Sequence, residues 1–468
     1  GHDAWRQTDT ATIARHFLEE PRLFYPRINW GAPGPGYVES ELQLYPYTVS
    51  LLYRVFGEQP ALGLLLSLLL TALACLVFFR VARHFLDEPS ALAAMAFFAM
   101  APLVYRYSRA FMPEATALLF YLLSLERFLA FLDTDRWRTL LLAGGAMALA
   151  ILVKPTTIHL GLVLGVLVVA ERGLRALFRP RLLLFAAISL LPAAAWYAHA
   201  AGLHATYGNT FGVISGGDSK WGSPAIWLSA GFYRNLARID GVWVAGPGAA
   251  LLGMYGWLRH RAPRWQVLVG GWAGTLLLYC FIVARYAGSD RGLQYHVYAA
   301  PLVALAAGGG LAALRARWPA RRRTVTWAVA GAVIALQLPF VANMAFRRQD
   351  EHLARAGRDL RAVSAPHELV VVLSAEAAVE DGHTNNHQQP EVFFHAHRRG
   401  TALGLDQQTA AHLRASARMA ACWFVNFPAL NGAADPSYRR MLEHDLRRIV
   451  ATPEYELYRF RTAGCARP

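Results

Sequence analysis

The chain opens with two acids. Gly1-His-Asp-Ala-Trp-Arg-Gln-Thr-Asp-Thr10 carries Asp3 and Asp9, and Glu39 and Glu41 follow before the first long apolar run. A carboxylate so placed can take a proton from an attacking group, as displacement at an anomeric carbon requires. The same four acids serve equally well as solvated loop charges or helix caps. A further acid stands in Tyr105-Arg-Tyr-Ser-Arg-Ala-Phe-Met-Pro-Glu114. Pro113 suits a first helical turn and Glu114 suits the positive end of the helix dipole, which alone accounts for both residues. Glu114 and Arg109 also stand at the edge of an apolar span, where an ionisable group is a functional-site hypothesis in its own right.

The cations are as selective as the acids. Of 46 basic residues only Lys154 and Lys220 are lysines. Lys154 precedes Pro155 at a break between two short apolar runs, and a helix break with a cation suits a phosphate. Lys220 lies beside Asp218 and Trp221. Arg285-Tyr-Ala-Gly-Ser-Asp-Arg-Gly-Leu-Gln-Tyr-His296 offers Arg285, Arg291 and His296 at the head of another span. Guanidinium forks match phosphate oxygens, although a pair of arginines snorkelling to the interface explains them equally well. The candidate substrate contacts are Arg6, Glu41, Arg109, Lys220 and His296. His383, His387, His395 and His397 have spacings that zinc tolerates, but they read more simply as a surface cluster. Cys75 and Cys280 fall inside apolar runs. Cys422 and Cys465 lie in the polar C-terminal region, where they are either a disulfide or two free thiols.

The elements that must hold these residues are membrane spans. Of the 468 residues 55% are hydrophobic and 16% charged, with a mean hydropathy of +0.27. That is too apolar for a soluble chain of this size. We read ten spans, near Ala61–Val81, Ala91–Tyr105, Ala115–Leu132, Thr139–Val153, Thr156–Ala170, Leu182–Ala201, Gly241–Leu258, Val267–Ala284, Val297–Leu314 and Val325–Phe346. Arginine clusters follow the first, third, fifth, seventh and ninth, at Arg80/Arg83, Arg136/Arg138, Arg172–Arg181, Arg259–Arg264 and Arg315–Arg323. Basic residues on every second loop mark the cytoplasmic side, and they account for the net charge of +15 without nucleic acid. The opposite, external face then collects residues 1–60, the loop before Glu114, the Lys154-Pro155 break, the Gly202–Asp240 loop, the Arg285–His296 loop and the C-terminal region. The chain does not begin with Met, and we expect one more span upstream. Glu126-Arg127 sits low in its span and reads as a local pair.

From residue 347 onward the pattern changes. Helix is predicted at Asp350–Val363, strand at Leu369–Leu373, strand at Thr401–Leu405, helix at Gln407–Ala420, strand at Cys422–Phe427, helix at Pro436–Ala451 and strand at Tyr455–Arg461. The expected fold class is therefore a polytopic α-helical membrane protein with a C-terminal extracytoplasmic α/β domain. Residues 1–346 form the membrane domain, with 1–60 as its first external loop, and 347–468 form the soluble domain.

Several motifs are familiar together. Tyr45-Pro-Tyr-Thr-Val-Ser-Leu-Leu-Tyr-Arg-Val-Phe-Gly57, Arg80-Val-Ala-Arg-His-Phe85 and Ser108-Arg-Ala-Phe-Met-Pro-Glu114 occur in this order between spans. The sequence over residues 1–300 resembles the bacterial relatives of dolichyl-phosphate-mannose protein mannosyltransferases, in the GT-C superfamily, which includes the lipid A aminoarabinose transferase. His2-Asp-Ala-Trp-Arg-Gln-Thr-Asp9 resembles the start of that family's first external loop, Leu152-Val-Lys-Pro155 its later Leu-Thr-Lys-Pro/Gly turn, and Tyr295-His-Val-Tyr-Ala-Ala-Pro301 its motif opening a late span. The resemblance implies a glycosyltransferase that moves a hexose or pentose from a polyprenyl phosphate to a glycan, lipid or protein acceptor, in a bacterial inner membrane. It implies Asp3 as base or acceptor-orienting acid and Glu114 near the reacting centre or a divalent metal. It also implies Lys154 with Arg285 or Arg291 on the donor phosphate. Glu replaces the family's Asp after Met-Pro, and Gln-Tyr-His-Val-Tyr replaces adjacent tyrosines, so the metal stays open. The competing class is a transporter or flippase with an external domain, which predicts charges near the bilayer midplane and pseudo-symmetric halves.

Overall fold

The computed structural model describes residues 4–214, 216, 219–346, 351–380 and 382–461, with the backbone alone at Asp290, Arg291, His383, Thr384 and Ala433. Contacts divide the chain into two units. One holds residues 60–196 and 220–347, and the other holds 1–59, 197–219 and 348–468. Chain order alone gives a boundary at 346/347; the contacts also group the opening 59 residues and the 197–219 segment with the C-terminal region.

The first of these units is helical. Among the described residues seven helices are long and apolar enough to cross a membrane: Pro60–Arg83, Glu114–Thr134, Pro155–Arg172, Pro180–Tyr207, Pro263–Ile282, Ala299–Arg317 and Pro319–Phe346. An eighth span is counted if the bent pair Glu88–Ala99 and Pro102–Ser108 is one crossing. The bend of 62° falls where Pro102 has no N–H to continue the ladder and pushes Ala101 into extended backbone. The ten spans of the sequence reading are thus reduced for physical reasons. Trp137–Val153 is helical but only 17 residues long. Gly241–Leu258 is not one helix: a π-helical turn at Ile239–Val244 is followed, after Gly246 at φ +80°, by the 13-residue helix Pro247–Arg259.

Small residues let helices in this unit approach closely. A Cβ on Gly256 would lie 2.2 Å from the carbonyl of Ala306, and one on Gly310 would lie 2.2 Å from that of Leu252. Helices Pro247–Arg259 and Ala299–Arg317 therefore meet backbone to backbone, the packing mode available where lipid supplies no hydrophobic drive.

The second unit contains a five-stranded mixed sheet. Its strands are β1 (Leu369–Leu373), β4 (Gly400–Leu403), β5 (Ala421–Asn426), β6 (Leu446–Ala451) and β7 (Glu456–Phe460), in the order β4-β1-β5-β7-β6. β1 is parallel to β4 and β5, while β7 is antiparallel to β5 and β6. A small hairpin joins β2 (Val379–Glu380) to β3 (His383–Thr384). The central strands are buried on both faces, as their runs Leu-Val-Val-Val-Leu and Ala-Cys-Trp-Phe-Val-Asn require. The predicted helix Pro436–Ala451 ends at His444 and becomes edge strand β6, and the helix Pro390–Ala396 is an addition to the sequence reading.

The same apolar core runs from the sheet into the opening segment, taking in Ile13, Phe17, Ile28, Trp30 and Val38. That segment is not a loop. Helices Ala4–Glu19 and Leu44–Phe56 flank a turn in which Gly36 takes φ +81° and a Cβ would strike the Ile28 carbonyl at 2.5 Å.

Candidate active-site residues in the two units

In the helical unit two of the expected residues form a buried ion pair. Lys154 is the extended residue (φ −149°, ψ 104°) between helix Trp137–Val153 and the 3-10 turn Pro155–His159, because Pro155 cannot carry the helix on. Its Nζ stands 2.8 Å from Oε1 of Glu114, at the start of helix Glu114–Thr134. The two side chains are 11% and 1% exposed. The residues expected to serve donor phosphate and reacting centre are therefore one pair. Breaking a buried pair of this kind from one side is costly.

The turn after Lys154 is pinned. His159 lies with Nδ1 2.6 Å from the Thr156 carbonyl and Nε2 3.1 Å from the Tyr121 hydroxyl. Tyr121 packs against Trp272 and Tyr298, and His159 against Tyr279 and Tyr298. This aromatic shelf escaped sequence reasoning. The missed signal is His159 itself, a polar residue one turn past the break.

The other expected residues of this unit are placed as follows. Arg109 lies over the Tyr105 ring and donates from Nη1 to its hydroxyl at 2.8 Å, in an exposed pair. Arg285 is half-buried in the short helix Ala284–Ala287. Arg291 lies in the turn Asp290–His296, and its side chain is outside the described residues. Lys220 is half-buried. His296 is buried and turned inward, with Nδ1 2.8 Å from Asp240 Oδ1 and Nε2 2.9 Å from the Ala287 carbonyl. It positions its loop; both ring nitrogens are engaged by protein. Glu126 and Arg127 form the local pair expected of them.

In the other unit the opening helix buries its charges. Asp3 lies outside the described residues. Arg6 donates from Nη2 to Glu41 at 2.5 Å and stacks on Phe211 at 4.4 Å. Asp9 accepts from the Trp30 indole at 3.0 Å. Burial pushes the Asp9 carboxyl up to about 7, against the opposing pull of the Trp30 hydrogen bond and nearby Arg6, and Glu391 raises it further. Glu391, which the sequence reading passed over, is itself raised by burial, and its Oε2 has no hydrogen-bond partner among the described residues. Its signal was present in Pro390-Glu391, the same helix-opening dipeptide as Pro113-Glu114.

Three of the four opening acids, Asp9, Glu39 and Glu41, are therefore not solvated charges. Asp9 is a buried carboxyl. Glu39 is sealed by the backbone N–H groups of Val213 (3.3 Å) and Ile214 (2.9 Å) and by the Thr210 hydroxyl, so it fastens the 210–214 segment. Among the described residues the histidines of the C-terminal region form no metal-ligating group. His387 Nδ1 meets the Asn385 carbonyl at 3.0 Å, and His397 stacks on Phe394 with its pKa lowered to about 4 by burial and by Arg15. The His383 side chain lies outside the described residues. Cys422 is disulfide-bonded, Cys75 and Cys280 are free thiols, and Cys465 lies outside the described residues.

Comparison with known proteins fits this arrangement. Residues 43–199 match the family model of dolichyl-phosphate-mannose-protein mannosyltransferase. No curated protein sequence matches the chain. Among solved structures, ArnT from Cupriavidus metallidurans bound to undecaprenyl phosphate superposes with a TM-score of 0.66 at 14% identity, over 99% of this chain and 94% of that one. The Archaeoglobus fulgidus oligosaccharyltransferase in complex with Zn and sulfate gives 0.62 at 14% identity, over 98% and 69%. The archaeal oligosaccharyltransferase AglB from Archaeoglobus fulgidus, in complex with an inhibitory peptide and a dolichol-phosphate, gives 0.55 at 13% identity, over 98% and 70%. The chain thus has the fold of these solved structures, and its residues 43–199 are similar to the mannosyltransferase family. The matched segment carries both Glu114 and Lys154.

Proposed function

We propose that this protein transfers a sugar from a polyprenyl-phosphate donor to a glycan, lipid or protein acceptor on the extracytoplasmic face of a bacterial inner membrane, with inversion at the anomeric carbon. The single observation that carries the reading is the buried Glu114–Lys154 pair at a helix break. A cation held beside a carboxylate can pass from that carboxylate to an incoming phosphate, and the phosphate monoester then leaves with its charge stabilised. Arg285 and Arg291 supply further donors for the same group. Glu114, released from Lys154, is left to face the reacting centre or a divalent ion. Asp3 takes the acceptor proton as the new bond forms. Arg6, Glu41, Arg109 and Lys220 are the proposed polar contacts to substrate. The lipid tail lies among the apolar spans.

Support for the donor class comes from relatives whose structures hold undecaprenyl phosphate or dolichol-phosphate. Support for an extracytoplasmic C-terminal domain comes from disulfide-bonded Cys422, since disulfides persist in oxidising compartments.

The test is transfer from a radiolabelled polyprenyl-phosphate sugar by the purified protein in lipid, with Asp3→Asn and Glu114→Gln beside it. Each variant should lose at least about 100-fold in rate while keeping its fold. Normal turnover by Asp3→Asn would remove that acid from the reaction.

A further inference from the structure

Three unlike ligand groups meet in the helical unit. Asp240 lies in the π-helical turn Ile239–Val244, Cys280 stands two residues from the end of helix Pro263–Ile282, and His296 closes the turn Asp290–His296. Their ligating atoms all lie within 4.8 Å of one another, and Nδ1 of His296 is 2.8 Å from Oδ1 of Asp240. We propose that Asp240, Cys280 and His296 bind a zinc ion.

The ring of His296 carries the argument. Its Nε2 faces the Ala287 carbonyl at 2.9 Å, which can only accept, so Nε2 holds the proton. Nδ1 faces the Asp240 carboxylate, which also only accepts, so a positive charge lies between them: a second ring proton, or a metal ion that takes both atoms as ligands. A metal-ligating histidine shows this same arrangement: one nitrogen to the ion, the other fixed by a backbone carbonyl.

The donor set selects the metal. Thiolate, imidazole and carboxylate together suit zinc rather than magnesium or calcium, which take oxygen ligands. Tetrahedral zinc holds its ligand atoms about 3.3–3.6 Å apart, within the range that small rotations of these side chains reach. Cys280 is a free thiol packed with Phe232, Leu236, Ala284 and Ala287, a dry surround that favours a thiolate–metal bond once the ion is present. Asp240 is 36% exposed at its side chain, which leaves an entry path and a fourth position.

An ion here would tie three chain segments together. Residues 281–295 between Cys280 and His296 include Arg285 and Arg291, so the metal would set the position of the loop that carries them. Neighbouring bonds already brace that loop: Gly222 N–H to the Ile282 carbonyl at 2.8 Å, the Trp227 indole to Phe281 at 2.9 Å and the Asn235 amide to Gly288 at 3.1 Å. Metal binding itself does not rest on the donor reading, and it is measured without turnover.

The experiment loads the metal-stripped full chain, in lipid, with Co(II) in place of zinc and with zinc itself. The wild type should take up one ion per chain and show a thiolate-to-cobalt charge-transfer band. Cys280→Ser should lose the band, and His296→Gln and Asp240→Asn should weaken binding by more than about 100-fold. A triple His387→Ala/His395→Ala/His397→Ala variant should bind as the wild type does. Absence of the band from the folded wild type would overturn the proposal without recourse to any variant. So would zinc that stays bound in Cys280→Ser and His296→Gln, or zinc lost only from the triple variant.

Discussion

Glu114 and Lys154 share a buried ion pair, which lets their roles be tested together. Each single variant, Glu114→Gln or Lys154→Gln, breaks this buried pair from one side, so each alone should lower stability, by up to about 3–5 kcal/mol, without unfolding the protein. The double variant removes both charges and should recover most of that loss while transfer stays abolished. Melting temperature and turnover on the four proteins of this cycle check both halves, and additive losses would mean the pair is not coupled. Asp9 gives a second test at this scale. Its carboxyl is raised from 3.8 to about 7 by burial, so the folded state holds its proton where the unfolded chain has lost it. Stability from this group is therefore full below about pH 4 and falls as pH rises towards about 7, by on the order of 4 kcal/mol at the limit. Asp9→Asn keeps an acceptor for the Trp30 indole and removes the titration. Its melting temperature should exceed the wild type's at about pH 8, and the gap should close towards about pH 4. A gap that does not change with pH would contradict the buried carboxyl.

Elements are where the sequence was most and least readable. The long spans were legible because twenty apolar residues in a row have few other uses, and the Lys154-Pro155 break was legible because proline cannot donate. Strand β1 was found at its observed limits because Val370-Val371-Val372 is β-branched between polar flanks. Strand β6 was missed because Arg447 and Arg448 read as the polar face of a continuing helix; its exposure at the sheet edge explains them. The opening helix was read as a loop because its apolar stripe is thin and its burial comes from partners far along the chain, such as Phe394 and Glu391. Candidate residues could be named in advance for the same reason: Glu114, Lys154, Arg6 and Glu41 announce themselves by charge. Which pairs with which is tertiary information, and so is the meeting of Asp240, Cys280 and His296. The helix pair Pro247–Arg259 and Ala299–Arg317 carries its own prediction. With Gly256 and Gly310 each facing a backbone carbonyl, Gly256→Ala forces a backbone shift rather than a rotamer change. It should cost about 1–3 kcal/mol, read as a lowered melting temperature, whereas Gly331→Ala, where nothing lies within 4 Å, should not lower it.

At the scale of the whole molecule the chain combines an apolar helical unit with a unit that holds a small mixed sheet and the opening helices. The ion pair and the aromatic shelf belong to the first, and the buried carboxyls Asp9 and Glu391 belong to the second. A transporter of the same hydropathy would place charges along the middle of its spans, whereas here the buried Glu114–Lys154 pair stands at helix ends. The central claim is that the lipid-linked sugar is cleaved, not carried. The most direct measurement is the fate of the donor in vesicles that hold the purified protein, an acceptor extract and a polyprenyl-phosphate sugar labelled in both sugar and lipid. The account predicts that free polyprenyl phosphate accumulates in step with labelled acceptor, and that neither forms with Glu114→Gln. Donor that crosses the bilayer with its sugar–phosphate bond intact, at the same rate in wild type and variant, would contradict it.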